Sequence, residues 1–527
     1  MEKSVIRDAL ATPGPLSLPL WDRTEAAVLI VITERDGEPQ LLMTRRTASL
    51  ASHQGEVSFP GGHREASDPT SLAAAVREAG EEVGVPAGGL EHLGTLDDVF
   101  SITGFRVTPH VAWLEGPFEP RPDPGEVAEV IWAPLATLVR QRRGPGFTVS
   151  HRGMTGSFPV FRTGGHMIWG LTARILQQLL AALVPPEERS PAERLDEVFR
   201  AAASRLLAAR RVILATHVNP DADGLGSQLA LARFLRRLGA EVRIANADPV
   251  PRRFRFLYEP EAPPEPADRK DLSLQGWADT LVVVDTGEYR RLGRVAELAA
   301  AMSGRRVVLD HHLRGDIGSA GDVVVADPVF SSTGEMVHRL LSAMSVPLDP
   351  ALATPLYAAL QFDTRGFRFI QGRPEPLLAA AALVAAGAEE ARVQEGLFAT
   401  MTRGEVLARS RILAALRFEH GGRFAWALVP ASLEEETGAD REEIGEAITE
   451  IIALEEVRVA ALVREERDGR FKVSLRSKAC CPVGAVAQAL GGGGHLHACG
   501  ATAPGPLEDL LARLITLVGD APGLRCP

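Results

Sequence analysis

Apolar and polar positions follow three rhythms along this chain. In the first block, Ala26-Ala-Val-Leu-Ile-Val-Ile-Thr33 and Gln40-Leu-Leu-Met-Thr-Arg45 read as strands joined around Asp36-Gly37, a hairpin turn pair. Ala73-Ala-Ala-Val-Arg-Glu-Ala-Gly-Glu-Glu-Val83 has helical spacing, with Asp68 as its N-cap, Pro69 as its first residue and Gly84 as its stop. From Pro109 to Pro134 strands are separated by proline-rich loops, and Ile168 to Leu183 predicts an amphipathic closing helix. Pro185-Pro-Glu-Glu-Arg-Ser-Pro191 breaks that pattern and marks a linker.

The second block alternates strand-like and helical runs from Leu195 to about Ala388, the rhythm of a doubly wound parallel sheet. Arg211-Val-Ile-Leu-Ala215 reads as a buried strand, and Gln228 to Leu238 as a helix. Pro249 to Asp271 is an irregular, proline-rich excursion, and Gly387 to Gly404 a connector with helical character. In the third block Phe424–Val429, Val457–Val463 and Phe471–Leu475 predict strands of a smaller α/β unit. The boundaries that follow are a first domain at 1–184, a linker at 185–194, a second domain at 195–390, a connector at 391–420 and a third domain at 421–527.

Composition narrows the function. A chain of 527 residues is too long for one core. A net charge of −11 argues against long nucleic acid as a partner, because a basic surface supplies that affinity. Small phosphorylated ligands stay open, since a local arginine or metal cluster can hold them. Cys480, Cys481, Cys499 and Cys526 have no zinc-finger or disulfide-framework spacing, which fits a reducing, cytoplasmic setting. The first residues lack an apolar signal core, and the apolar run Pro376–Gly387 is too short to span a bilayer, so no membrane partner is expected.

The chemistry gathers where apolar runs end. His217, Asp221 and Asp223 follow the first strand of the second block, on a strand-to-helix loop. Asp285, the triplet Asp310-His311-His312 and Asp363 close three later apolar runs; the last run, Leu356 to Asp363, reads as strand or helix. One such ending is an ordinary helix cap. Four of them in one α/β region look like one cluster of ligands for divalent cations, and mixed N/O donors suit Mn²⁺.

These segments resemble the four motifs of the DHH phosphoesterase superfamily, and with the third block the branch of nanoRNases and 3′-phosphoadenosine-5′-phosphate (pAp) phosphatases. The resemblance implies that His217, Asp221 and Asp285 hold one Mn²⁺, and that Asp223, Asp285, His311 and Asp363 hold a second, with Asp285 bridging. It further implies that the ions activate water for in-line attack on phosphorus. Asp310 is expected to orient a ligand imidazole, and His312 to contact the scissile phosphate.

In the first block Glu78, Glu81 and Glu82 fall at i, i+3 and i+4, so their carboxylates share one helix face. Two readings stand: Arg77 pairs with solvated glutamates, or Mg²⁺ or Mn²⁺ sits on that face to bridge a diphosphate. Gly61-Gly62 followed by Arg77-Glu78-x-x-Glu81-Glu82-x-Gly84 resembles the Nudix box, with Asp68 where a glutamate is usual. That departure, with Leu41–Arg45 and Gly55–Gly62, is similar to the coenzyme A diphosphatase subgroup. The resemblance implies an α/β/α sandwich, metals on the three glutamates, and substrate contacts at Arg45, Gly61 and Gly62. Glu126 and Glu129 are further carboxylates that support the site or are simply solvated, and no single catalytic base can be chosen.

In the third block, Arg476 and Ser477 end a strand, and Gly491-Gly492-Gly493-Gly494-His495 is a glycine-rich turn whose bare N–H groups can nest an anion. Together they resemble the DHHA1 substrate-binding domain, with Cys499 where alanine is usual. The combined expectation is a bifunctional metal-dependent hydrolase of pAp or very short RNA and of coenzyme A-like diphosphates. The alternative is an RNA-turnover enzyme whose first domain removes caps or sanitises nucleotides. A non-enzymatic nucleotide sensor would have lost ligand positions, and none is lost. A homodimer is left open beside a monomer.

Overall fold

The structure is a computed structural model. It describes all residues except 1, 12–13, 48–54, 102, 143–146, 152–153, 269, 313–314, 371, 467, 479, 495 and 525–527, so His495 and Cys526 lie outside the described residues. The chain forms two compact units, Met1–Leu397 and Phe398–Pro527.

The first unit opens with an eight-stranded mixed sheet around the strand Thr24–Arg35, which pairs antiparallel with Glu38–Arg46 and parallel with Phe105–Leu114. Period-two alternation gives this strand two apolar faces. Ala27, Leu29 and Val31 pack on Ala74, Ala75, Ala79 and Val83 of the helix Ser71–Val83. Ile30 and Ile32 pack on the other side, with Ile175, Leu176, Leu179 and Leu180 of the helix Gly170–Ala182. The result is an α/β/α sandwich. Asp36 and Gly37, with φ of 55° and 78°, make the expected tight hairpin.

One detail departs from the sequence reading. The helix is capped by Thr70, whose hydroxyl accepts the Ala73 N–H at 3.1 Å, and it begins at Ser71. Asp68 and Pro69 lie upstream of it, because the Asp68 carboxylate is already occupied by Arg77 and the Glu65 N–H.

Next comes an all-parallel sheet of five strands. In spatial order they are Glu241–Ile244, Arg211–Ala215, Thr280–Val284, Arg306–Asp310 and Val323–Ala326. Val212, Leu214, Val282, Val284, Val307 and Leu309 line one apolar layer, and Ile213, Ala215, Leu281, Val283 and Val308 the opposite one. That double burial explains their near-continuous aliphatic runs. The strand order reverses direction between Arg211–Ala215 and Thr280–Val284, the topological switch point where open α/β sheets bind ligands. The run before Asp363 is a helix, Pro350–Asp363, started by Asp349, whose carboxylate accepts the Leu352 N–H at 3.1 Å. Residues from Leu352 to Gln361 are all buried, so a continuously apolar segment here signals an enclosed helix.

The expected linker at 185–194 is shorter in the structure. Ser190 and Glu193 form a reciprocal capping box, and the helix Pro191–Ala208 starts directly after it. That helix ties the two sheets together: the Arg200 guanidinium reaches both Asp97 oxygens at 2.5 Å and the Gly14 carbonyl at 2.6 Å. Leu18 and Phe100 share a core with Phe199 and Phe234. The expected connector also divides, since the helix Glu390–Phe398 starts in the first unit and Arg403–Ala414 lies in the second.

The second unit is a six-stranded sheet in the order Arg417–Glu419, Phe424–Val429, Val459–Glu465, Arg470–Ser477, Ala498–Pro504 and Gly493–Gly494. One face packs on the helices Arg403–Ala414 and Ile448–Ala453, the other on Gly484–Ala489 and Leu507–Gly519.

Candidate active site

At the switch point four strand or helix ends deliver carboxylates and imidazoles to one place. Val218 O accepts the proton of His217 Nδ1 at 2.8 Å, which leaves Nε2 facing Asp285 Oδ2 at 3.2 Å and Asp221 Oδ2 at 3.7 Å. Asp221 caps the helix Ala222–Arg237, its Oδ1 accepting the N–H groups of Asp223 and Gly224. Asp285 follows its strand with φ of 63°, a left-handed conformation that aspartate tolerates. His311 Nε2 lies 2.9 Å from Asp363 Oδ2, 3.5 Å from Asp285 Oδ1 and 3.6 Å from Asp223 Oδ2.

Ligand atoms of His217, Asp221 and Asp285 lie within 4.8 Å of one another, as do those of Asp223, His311 and Asp363, and those of Asp285, His311 and His312. All six expected metal ligands are thus brought together, and Asp285 belongs to two of the groups. Asp310 accepts from His312 Nδ1 at 2.7 Å, so the imidazole it orients is the one expected to meet substrate, not metal-facing His311.

The electrostatics fit a cation. Four carboxylates face two imidazoles, and His311 Nε2 is buried without an aligned hydrogen bond although three carboxylates converge on it. Burial and the charges of Asp285 and Asp363 push the Asp223 carboxyl well up. Burial also opposes charge on Asp285, but His217 and His311 outweigh it and hold that carboxyl well down. His217, despite its burial, is driven up to about 10 by Asp221 and Asp285. Carboxylates outnumber imidazoles in the cluster, an imbalance that divalent cations on N/O donors would offset.

Residues outside the motifs hold this cluster in shape. Thr333 and Gly334 open the helix Thr333–Ala343 and give their N–H groups to Asp223 Oδ2 and Oδ1 at 2.7 and 2.8 Å. The Thr333 hydroxyl donates to Asp285 Oδ1 at 3.3 Å. A Cβ on Gly224 would lie 2.3 Å from Thr216 Oγ1, and one on Gly226 2.3 Å from the Pro355 carbonyl oxygen. The usable clue was Ser332-x-x-Glu335, a capping-box spacing ahead of an apolar run.

The Nudix-box residues are arranged differently. Arg77 bonds Asp68, Glu78 and Glu81, each at 3.0 Å. Glu81 is exposed, whereas Glu82 is buried, and burial lifts its carboxyl to about 7 against the nearby Arg46 charge. Among the described residues these glutamates do not gather three ligand atoms as the other site does. Arg77 thus pairs with Glu78 and Glu81, while Glu82 is buried rather than solvated. A Cβ on Gly62 would lie 2.4 Å from Glu78 Oε1, and one on Gly61 2.3 Å from the Ala27 carbonyl oxygen, so the glycine pair lets helix and strand close. Arg45 Nε reaches Glu129 Oε2 at 2.9 Å, and Glu129 meets His166 Nε2 at 3.2 Å.

In the second unit, strand register places Arg476 opposite Ala498, and Gly493 and Gly494 opposite Gly500 and Cys499. Gly491 has φ of 81°, and a Cβ on Gly492 would lie 2.1 Å from the Gly500 oxygen. Ser477 Oγ is 3.0 Å from His497 Nδ1, a partner the sequence did not suggest.

An α/β sheet with a ligand cluster at its switch point, preceded by a Nudix-type sandwich, defines a hydrolase of phosphorus esters. Family comparison agrees: the NUDIX domain matches residues 23–149, the DHH family N-terminal domain 211–360 and the DHHA1 domain 423–520. The chain belongs to the DHH family and carries a Nudix domain ahead of it. It is 33% identical over 332 residues to the bifunctional oligoribonuclease and PAP phosphatase NrnA of Thermus thermophilus, covering 62% of this chain and 96% of that protein. The first domain is 39% identical to the uncharacterized Nudix hydrolase NudL of Citrobacter koseri, over 30% of this chain and 82% of the relative. An exopolyphosphatase-related protein from Bacteroides fragilis shares the fold, with a TM-score of 0.57 at 20% identity, over 62% of this chain and 96% of its own. No helix among the described residues is long and apolar enough to cross a membrane.

Proposed function

We propose that the DHH and DHHA1 domains hydrolyse phosphoesters of pAp and very short RNA, and that the Nudix domain cleaves a nucleoside diphosphate linkage of the coenzyme A type. The observation that carries the first part is the position of Asp285, whose Oδ2 lies 3.2 Å from His217 Nε2 and whose Oδ1 lies 3.5 Å from His311 Nε2, so that one carboxylate faces both ligand groups. His217, Asp221 and Asp285 would hold one Mn²⁺, and Asp223, Asp285, His311 and Asp363 the other. Bound cations supply Lewis acidity, lowering the pKa of water and neutralising charge on phosphoryl oxygens. Asp310 fixes the His312 ring through Nδ1, which directs Nε2 to a phosphoryl oxygen of the substrate. Within the DHHA1 domain, Arg476, Ser477 and the glycine turn would bind a phosphate or sugar.

At the Nudix centre, Mg²⁺ or Mn²⁺ on Glu78, Glu81 and Glu82 requires Arg77 to give up its hold on the first two. Arg45, Gly61 and Gly62 then border the diphosphate. Cleaving a coenzyme A-type diphosphate releases pAp, so the two centres would catalyse consecutive steps. The name of the Thermus thermophilus relative favours short RNA beside pAp as a substrate of the DHH site.

Two single substitutions test the assignment with Mn²⁺ present. Asp285→Asn removes turnover of pAp and short RNA while diphosphate cleavage persists, and Glu82→Gln does the reverse. Wild-type protein that consumes neither coenzyme A nor pAp nor short RNA would end the reading.

A further inference from the structure

The helix that supplies Asp363 ends in a loop that metal binding does not explain. Arg365, Gly366 and Phe367 follow with φ of 47°, 67° and 64°. Glycine enters that left-handed region freely, whereas an arginine and a phenylalanine are held there by their surroundings. The holding is visible. Gly366 N–H donates to the Gln361 carbonyl at 2.9 Å, and Phe369 N–H to the Thr364 carbonyl at 3.0 Å. The buried Thr364 hydroxyl donates to the Leu360 carbonyl at 2.6 Å and accepts the Phe367 N–H at 3.1 Å.

This tightly bonded loop presents an aromatic ring and two cations to solvent. Phe369 is 59% exposed, more than any other phenylalanine or tryptophan among the described residues. The Arg365 guanidinium carbon lies 5.7 Å from the Phe369 ring centroid. Arg368 is also exposed, and neither arginine pairs with a carboxylate among the described residues. An apolar partner would cover the ring and strand the guanidiniums. An inorganic anion would do the opposite. A nucleotide satisfies both, with its base on the ring and a phosphate on the arginines.

We infer that the loop from Thr364 to Phe369 is the nucleoside platform of the DHH site. Phe369 stacks on a base, and Arg365 and Arg368 hold a phosphate other than the one being cleaved. The inference rests on the DHH reading above and adds its specificity element. The chemistry recognised, a base beside a second phosphate, is common to a bisphosphorylated nucleoside and to a dinucleotide.

The test compares full-length wild type with Phe369→Ala, Phe369→Tyr and Arg368→Ala in Mn²⁺, on three probes: pAp, a diribonucleotide, and p-nitrophenyl phosphate. Phe369→Ala is expected to raise KM for the nucleotide probes by about 5- to 150-fold, the range of one lost base stack, with kcat nearly kept. Phe369→Tyr restores wild-type KM, Arg368→Ala raises it, and p-nitrophenyl phosphate turnover stays level. A rise with the dinucleotide alone assigns the ring to the neighbouring base; a rise with both probes assigns it to a base shared by the two. Equal loss on all three probes marks a folding role and overturns the platform, as does an unchanged KM. Wild type inactive on both nucleotides would fell the DHH reading and this inference together, whereas active wild type with an indifferent Phe369→Ala removes the platform alone.

Discussion

Gly334 donates its peptide N–H to Asp223 Oδ1 at 2.8 Å from the first turn of a separate helix, while Thr333 holds the other oxygen at 2.7 Å. The carboxylate thus rests on the positive end of an 11-residue helix dipole, held by the protein's own N–H groups. A Cβ at Gly334 would sit 2.6 Å from the Ala359 Cβ, so Gly334→Ala must push two helices apart and draw the N–H away. Mn²⁺ affinity is expected to fall on the order of ten-fold or more, as for other supports of metal ligands. Calorimetric titration of the metal-free protein measures this. Unchanged affinity would mean the clamp has no part in metal binding.

At the Nudix centre the corresponding tight approach is Gly62 against Glu78. An added Cβ would lie within 2.4–2.7 Å of the Glu78 carboxylate atoms. Gly62→Ala should cut diphosphate cleavage by roughly ten- to a hundred-fold, because Glu78 must leave its place. DHH turnover in the same preparation should be untouched. Parallel loss of both activities would show that the glycine serves the fold instead.

Much of the phosphoesterase cluster was legible because its ligands end apolar runs, where a charged side chain stands out against Val and Leu. Parallel strands buried on both faces make that contrast sharp at Ala215, Val284 and Leu309. Thr333 and Gly334 were overlooked for the opposite reason: they hold Asp223 through peptide N–H groups that every residue owns, and the Thr333 hydroxyl on Asp285 belongs to no motif. Asp68 illustrates a rule applied to the wrong residue. It is a good cap by type, but Arg77 captured it, and Thr70 took the role two residues on. The Asp310 partner could not be chosen from adjacent histidines, since the bend after the strand decides which ring folds back.

His110 offers a pH signature for the first domain. Its ring is buried between Ser71 Oγ at 3.0 Å and Thr95 Oγ1 at 3.1 Å, with the His92 ring 5.4 Å away. Burial, and then the neighbouring His92, depress the imidazole from 6.5 to about 4. The unfolded chain therefore binds this proton more readily than the folded one, so stability falls as pH drops from 6.5 towards 4, by about 3 kcal/mol in full. Urea unfolding at pH 7 and pH 4.5 should show a wild-type loss exceeding that of His110→Gln by about 2 kcal/mol. Equal losses would mean the folded ring titrates normally.

Arg306 and Asp322 make a prediction of the same sign, at lower pH, in the second sheet. Both side chains are essentially buried, and their closest contact is 2.5 Å. Asp322 also accepts the N–H groups of Gly304, Arg306 and Ser319. Burial alone would raise this carboxyl, but hydrogen bonds from Arg306 and Ser319 and the guanidinium charge bring it down to about 2, from 3.8. With the folded pKa depressed, its stabilisation is complete above pH 4 and is lost as pH falls from about 4 to about 2. Asp322→Asn leaves Arg306 as a buried charge without a counter-ion, a change that costs about 3–5 kcal/mol at neutral pH. Wild type itself gives up about 1 kcal/mol of this by pH 3, so the gap to the variant should narrow by that amount. Unfolding curves at pH 7 and pH 3 decide it: a gap that stays constant would show that Asp322 titrates alike in the folded and unfolded chains.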